Sequence, residues 1–371
     1  MIVNSKYILN KLHKYTWHLL ALLIFVFSFF SALVGKLYTH FIFKNLAQFL
    51  RFITSKVPFA IGEWVYLFLI IGLIINVLYK LYTIKKRIKA DRFLAKQLNH
   101  LLRNLCIVYV FFELIWGLNY QKNTPASDFN LKVNASYSEE EVDTLSLNLI
   151  YQMNEARSKL SDSMINKVTV PYLFDKSIQE YARIVSTYPF LEYSNSNLKQ
   201  AQFPSWGDKI GYLAFYHPIT GEAIIRGDLP ILTQPYTICH EIAHQIGYAS
   251  EMEANFISFI VATQSDDVLF KYSMLLQLFT YSQQAQLNLI AQKGDYKKWK
   301  KIIERNKALL SPQVIADRKN IRSFFMSRQN QRIPGSEKLY DQFLQLNKQT
   351  KGIESYNDVL LWALAYYEHS S

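Results

Sequence analysis

Residues 240–256 run His240-Glu241-Ile242-Ala243-His244-Gln245-Ile246-Gly247-Tyr248-Ala249-Ser250-Glu251-Met252-Glu253-Ala254-Asn255-Phe256. Residues four apart share one face of a helix, so His240 and His244 can present both imidazoles to a single ion. Neutral imidazole is a good zinc ligand, and Glu241 is placed to take a proton from a zinc-bound water. Zinc brings the pKa of such a water towards neutrality, and the hydroxide attacks a polarised carbonyl; the motif prescribes metal-assisted hydrolysis. The helix it needs is written into its flanks. Pro235, after a Thr233 or Gln234 cap, suits a first turn, and Gly247 suits a stop. Ser250-Glu251-Met252-Glu253 is a capping box that opens a second helix carrying the apolar run 256–261.

A catalytic zinc commonly takes three protein ligands and keeps one position open. Glu251 and Glu253 compete for the third place. Glu253, third after the Ser250 cap, already has a capping duty. Glu251 has none, and it stands four residues before Asn255, whose side chain can support a ligand from behind. Glu251 is therefore preferred, with Glu253 as the alternative.

The stretch from His240 to Phe256 resembles the zincin peptidases, especially glutamate-ligand families in which a Glu-x-x-Ala-Asn or Glu-x-x-Ala-Asp element follows on a second helix. That resemblance implies a zinc metallopeptidase with His240, His244 and Glu251 as ligands and Glu241 as general base. It also implies a strand edge beside the helix that binds extended peptide, which would be the hairpin at 211–226. The spacing departs from the pattern. The gap from His244 to Glu251 is shorter than in most glutamate-ligand zincins and closer to the His-x-x-Gly turn of the metzincins, yet Ser250 stands where a metzincin has its third ligand. The whole layout, membrane spans followed by this motif, is similar to an uncharacterised family of bacterial integral-membrane proteins of unknown function.

Upstream, three apolar stretches at about 16–34, 61–81 and 101–118 approach the length that crosses a bilayer. A basic N-terminal region precedes the first, but no Ala-x-Ala site follows, so retention as a span is expected over cleavage as a signal. The third carries Glu113, expected to anchor at the interface, and the aromatic flank Trp116 and Tyr120. Residues 1–120 are thus a transmembrane region and 121–137 a linker to a domain at 138–371. The loop between the second and third stretches holds Lys85, Lys86, Arg87, Lys89, Arg92, Lys96 and Arg103, richer in basic residues than the loop before it. The positive-inside rule then puts the N-terminus in the cytoplasm and the C-terminal domain outside the cell (inner) membrane. The net charge of +12 over 371 residues follows partly from that topology and from anionic lipid. No nucleic-acid-binding motif accompanies it, so nucleic acid is not an expected partner.

Downstream the pattern is mainly helical. Ser138 to Glu141 form a capping box ahead of Val142, Leu145, Leu149 and Ile150 at helical spacing. Further helices are expected at 267–292, 295–309, 313–328, 336–346 and 356–368, and a β-hairpin at 211–226. The expected fold is a membrane-anchored α-helical protein with a mainly α, zincin-like α+β domain and a small sheet. Cys106 and Cys239 are expected to lie in different places, which argues against a disulfide, with Cys239 buried and inert. His217 and Arg226 are expected to be ordinary solvated residues, and Tyr248 has only proximity to recommend it. The reading from a different class is a non-catalytic membrane scaffold or assembly factor. An intact Glu241 weighs against it, because a structural zinc has no use for a general base and closes all four positions.

Overall fold

The computed structural model describes residues 5–87, 93–122, 124–134, 136–346 and 359–370. Lys89 and Arg92 of the basic loop, and the start of the helix expected at 356–368, lie outside the described residues.

After α1 (Ser5–Phe27) the chain does not follow the straight span expected at 16–34. The Ser28 hydroxyl donates to the Phe25 carbonyl at 2.7 Å, and the N–H groups of Phe29 and Phe30 reach back only three residues, to Val26 (3.2 Å) and Phe27 (3.0 Å). The last turn tightens and the helix ends. The chain then bends by 101° into 31–55: α2 (Ser31–Leu33), a π-helix (Val34–Phe43) and α3 (Lys44–Ser55). By length and composition this bent pair can count as one span beside two continuous ones, Ile61–Tyr82 within α4 (Ile61–Arg87) and Gln97–Ile115 within α5 (Phe93–Ile115). Wide helical turns bring Val34, Tyr38, Thr39 and Phe43 onto one buried face, against Trp116, Leu118, Tyr216 and Ala249.

The candidate spans and the part of the chain that follows them share packing. Arg51 of α3, almost fully buried, donates to the carbonyls of Gln245 (2.7 Å) and Ser194 (3.0 Å). The Glu222 carboxylate accepts from the N–H groups of Ile61 (3.0 Å) and Gly62 (2.6 Å), the first of α4. A carboxylate there meets the open N–H groups and the positive end of the helix dipole. The 44–62 stretch and the domain therefore lie on the same side of the two continuous spans. Within 121–137, α6 (Pro125–Asp128) forms a turn, and Phe129 is buried against Tyr188, Phe190 and Phe256.

The domain is mainly α. The Ser138 box caps α7 (Glu139–Ser158), followed by α8 (Asp162–Asn166) and α9 (Val170–Ile184). Strand β1 (Leu198–Gln200) and α10 (Pro204–Ile210) precede the expected hairpin, β2 (Ala214–His217) with β3 (Glu222–Ile225). The sheet order is β1-β3-β2, β1 parallel to β3 and β2 antiparallel with His217 opposite Glu222. Then come α11 (Gln234–Gln245), α12 (Glu251–Thr263), α13 (Val268–Gln292), α14 (Tyr296–Leu309), α15 (Pro312–Arg328), α16 (Ser336–Leu346) and α17 (Val359–Ser370). α11 and α12 form the centre, with α13, α9 and the sheet around them. Ile238, Ile242, Phe256 and Phe259 have no exposed surface; each such side chain contributes about 1.5–3 kcal/mol by leaving water.

Candidate metal centre

Every residue of α11 is buried. Pro235 sits in its first turn, and Gly247, with φ of +99°, turns the chain out of it in the left-handed region that a side chain resists. α12 begins at Glu251, only four residues beyond Gly247, which sets its first turn against the histidine face of α11.

The result is a convergence of three donor atoms. Nε2 of His240 and Nε2 of His244 are 3.0 Å apart; Oε2 of Glu251 lies 3.0 Å from the first and 3.8 Å from the second. Tetrahedral ligands at about 2.0–2.1 Å from zinc stand about 3.3 Å from one another, so the three separations bracket what one ion requires. Each imidazole is fixed from behind at its other nitrogen. His240 Nδ1 meets Asn255 Oδ1 at 2.8 Å, and His244 Nδ1 meets the Tyr248 carbonyl at 2.7 Å. Both partners are acceptors, so each Nδ1 carries a proton and Nε2 is the nitrogen of each ring turned towards a metal. The Tyr236 hydroxyl also donates to Asn255 Oδ1 and contacts the Tyr281 hydroxyl at 3.1 Å.

Two carboxylates behave differently. Burial works to raise Glu251, but the hydrogen bonds and charges of His240 and His244 overcome it and hold the group well below the usual carboxylate range. Its other oxygen accepts from the Tyr340 hydroxyl at 2.8 Å. Burial pushes Glu241 up, against the pull of the two imidazoles, and its Oε2 is buried with no hydrogen-bond partner. A buried carboxylate oxygen left unsatisfied is costly, and it fits a site where a further polar group is to be received. For His244, burial opposes protonation but Glu251 wins, and the ring is pushed up to about 9.

The structure gathers His240, His244 and Glu251 and leaves Glu253 apart. Glu253 accepts from the Ser250 N–H at 3.4 Å as its capping position predicts, and burial raises it to about 7 while nearby Lys122 pulls it down. Cys239 is buried in the core, its thiol pushed up by burial, and Cys106 is also free. Tyr248 serves through its backbone carbonyl. Its ring lies beneath the Lys122 ammonium at 3.4 Å.

The expectation that His217 and Arg226 are solvated is wrong. Both are buried: Arg226 pairs with Asp208 (2.7 Å) and Asp228 (2.9 Å), and His217 lies under the Tyr66 ring at 4.2 Å with Thr220 on its Nδ1. Their partners come from α10, α4 and the next turn, which local polarity does not reveal. Glu113 is buried near the end of α5, beside Gly117. Sequence reasoning also missed Tyr340, 89 residues beyond Glu251, for which no local signal exists. It noted Trp116 only as an interface aromatic, whereas the ring stands edge-on to His244 at 5.9 Å.

Comparison with known proteins adds a family and no activity. No curated protein and no solved structure matches this chain. A family model matches residues 38–364, which takes in the continuous spans, the hairpin and the His-His-Glu group together, and the chain therefore belongs to DUF3810, a family described as proteins of unknown function.

Proposed function

We propose that this protein is a membrane-anchored zinc-dependent hydrolase, a metallopeptidase that cleaves a peptide or amide bond. The observation that carries the reading is the convergence of three buried donor atoms beside a buried, unpartnered Glu241 oxygen. His240, His244 and Glu251 would hold the ion, with Asn255 and the Tyr248 carbonyl setting the tautomers of the two imidazoles. Bound zinc supplies a Lewis acid that polarises a carbonyl and acidifies water. Glu241 accepts the proton of the attacking water at Oε2 and delivers it to the leaving nitrogen. Burial pushes its pKa up, the direction that helps it hold the proton it must pass on. A structural zinc would need a fourth protein ligand, and the group holds three among the described residues.

Elemental analysis of the purified protein tests the reading. One zinc per chain in wild type, lost in His244→Ala and Glu251→Ala, supports it; a folded wild type that takes up no zinc when the metal is added rejects it. The proposed topology has the N-terminus in the cytoplasm and the domain outside, on the strength of the basic loop between α4 and α5. Protease protection on intact cells checks this, and a fully shielded C-terminal domain overturns it.

A further inference from the structure

The two continuous spans fix where a bilayer would lie, and the metal group sits at its edge. The apolar stretch of α5 ends at Ile115, and the very next residue, Trp116, stands against the His244 ring at 5.9 Å. The same Trp116 ring meets Tyr216 of β2 at 4.8 Å. From the other span, Tyr66 lies inside the apolar stretch Ile61–Tyr82, yet its ring reaches His217 at 4.2 Å and Phe215 at 6.0 Å, also on β2. Side chains alternate along a strand, so β2 is held between the ends of both spans, Tyr216 against Trp116 just past α5 and its two neighbours against Tyr66 of α4. It is also an edge strand, paired only with β3 among the described residues.

A third element repeats the placement. α16 brings Tyr340 to Glu251, sets Phe343 against Phe112 of α5 at 6.3 Å, and leaves Leu339 and Leu346 70% and 86% exposed. Leu339, Phe343 and Leu346 are spaced as one face of a helix, and Phe343 joins that face to the surface of α5. Apolar side chains that continue the surface of a span are accounted for by the headgroup and acyl boundary.

From these contacts we propose that the substrate is a membrane-anchored polypeptide, taken as an extended chain along β2 and cut within a few residues of the bilayer. The inference rests on the hydrolase reading and narrows its substrate. Strand addition to an open sheet edge binds an extended chain through its backbone, whatever its sequence. At about 3.3 Å per residue, a site within roughly 10 Å of the hydrocarbon is reached about three residues after a chain leaves the membrane. The reaction is ordinary hydrolysis: the peptide C–N bond breaks, the water oxygen joins the carbonyl carbon, and the proton passed through Glu241 goes to the leaving nitrogen. Anchoring supplies what the short edge strand does not, since confinement to one surface raises the effective concentration of substrate.

The test uses full-length, zinc-loaded protein in phosphatidylethanolamine and phosphatidylglycerol vesicles. The probe is a randomised peptide pool carried on a palmitoyl anchor through Gly-Ser spacers of about two, eight or twenty residues, beside the same pool without an anchor. Mass spectrometry reads the products, and Glu241→Gln is the inactive control. The expected result is cleavage of the shortest-spacer pool at least about tenfold faster than the free pool, with cuts close to the anchor. Equal cleavage of the free pool, or cutting only on the longest spacer, overturns the inference and leaves the hydrolase reading standing. Release of fatty acid from the vesicles overturns it in favour of a lipid substrate. No cleavage of any pool by zinc-loaded protein rejects the hydrolase reading, and the inference falls with it.

Discussion

Asn255→Leu isolates the group that sets the His240 tautomer. The substitution keeps the branched four-atom side chain, with methyl groups in place of the amide oxygen and nitrogen, and removes the Oδ1 that lies 2.8 Å from His240 Nδ1. The Tyr236 hydroxyl loses the same acceptor but keeps Tyr281 at 3.1 Å, so the loss falls on the histidine. Its Nδ1–H becomes a buried donor without a partner, at a cost of about 1–3 kcal/mol. The ring can escape that cost by moving its proton to Nε2, which blocks the lone pair a metal needs. Either route weakens zinc binding, by about 10–100-fold or roughly 1.4–2.7 kcal/mol. Competition against a chromophoric chelator measures it, with the melting temperature of the metal-free protein as the folding control. Asn255→Asp restores an acceptor and is expected to bind zinc at least as well as wild type. A folded Asn255→Leu with wild-type zinc affinity would refute the assignment of Asn255 as the residue that orients His240.

Other consequences follow from the same geometry. Glu241→Gln is expected to keep zinc and lose hydrolysis by about 10²–10⁴-fold; retained activity removes Glu241 from the mechanism. His244, at about 9 without metal, must shed its proton to become a ligand, so zinc binding at pH 7.5 should release a proton and strengthen as pH rises towards 9. Calorimetry in buffers of different ionisation enthalpy reads that proton, and a buffer-independent heat contradicts the assignment. His217 is held neutral by burial, lowered from 6.5 to about 4. Protons therefore favour the unfolded chain: the contribution is whole above pH 6.5 and is lost as pH falls towards 4, by about 3 kcal/mol at most. Thermal melts of wild type and His217→Phe across that window check it, and parallel pH profiles would count against it.

What the sequence disclosed is what local chemistry writes down. Pro235, Gly247 and the Ser250 box mark the ends of α11 and α12, and period-four spacing puts His240 and His244 on one face; these signals act within a few residues. Glu251 was separable from Glu253 because a capping box occupies the latter, a local duty that the structure shows at 3.4 Å. Non-local relations were not legible. The three-residue β1 is defined by its pairing with β3, Tyr340 comes from a distant helix, and His217 and Arg226 look solvated until α4 and α10 cover them. The bend in the first apolar stretch was not legible because hydropathy records composition and not direction. Residues 16–34 are apolar enough to cross a bilayer, but Ser28 and the shortened hydrogen bonds after it turn the chain aside.

That turn ties the anchor to the chemistry. The π-helix and α3 place Arg51 under the C-terminal end of α11, where its guanidinium donates to the Gln245 carbonyl one residue after His244. A cation at a helix C-terminus satisfies carbonyls that lack intrahelical partners and opposes the negative end of the dipole. The Gln245 side chain continues inward, donating to the carbonyls of Asn197 (3.0 Å) and Gly221 (2.7 Å) and accepting from the Tyr193 hydroxyl at 2.6 Å. The helix that carries both histidines is thus terminated by a residue of α3 and locked at the same point to the starts of the parallel strands β1 and β3. Glu222, beside Gly221, turns the other way to cap α4. Removing the spans would leave the Gln245 carbonyl and the Glu222 carboxylate without those donors and uncover the face on which Trp116 meets Tyr216 and His244. The candidate spans and the His-His-Glu group therefore share one packed unit, and their joint inclusion in the family match at 38–364 has a physical reason: the helix that carries His240 and His244 is completed by residues of the N-terminal segments.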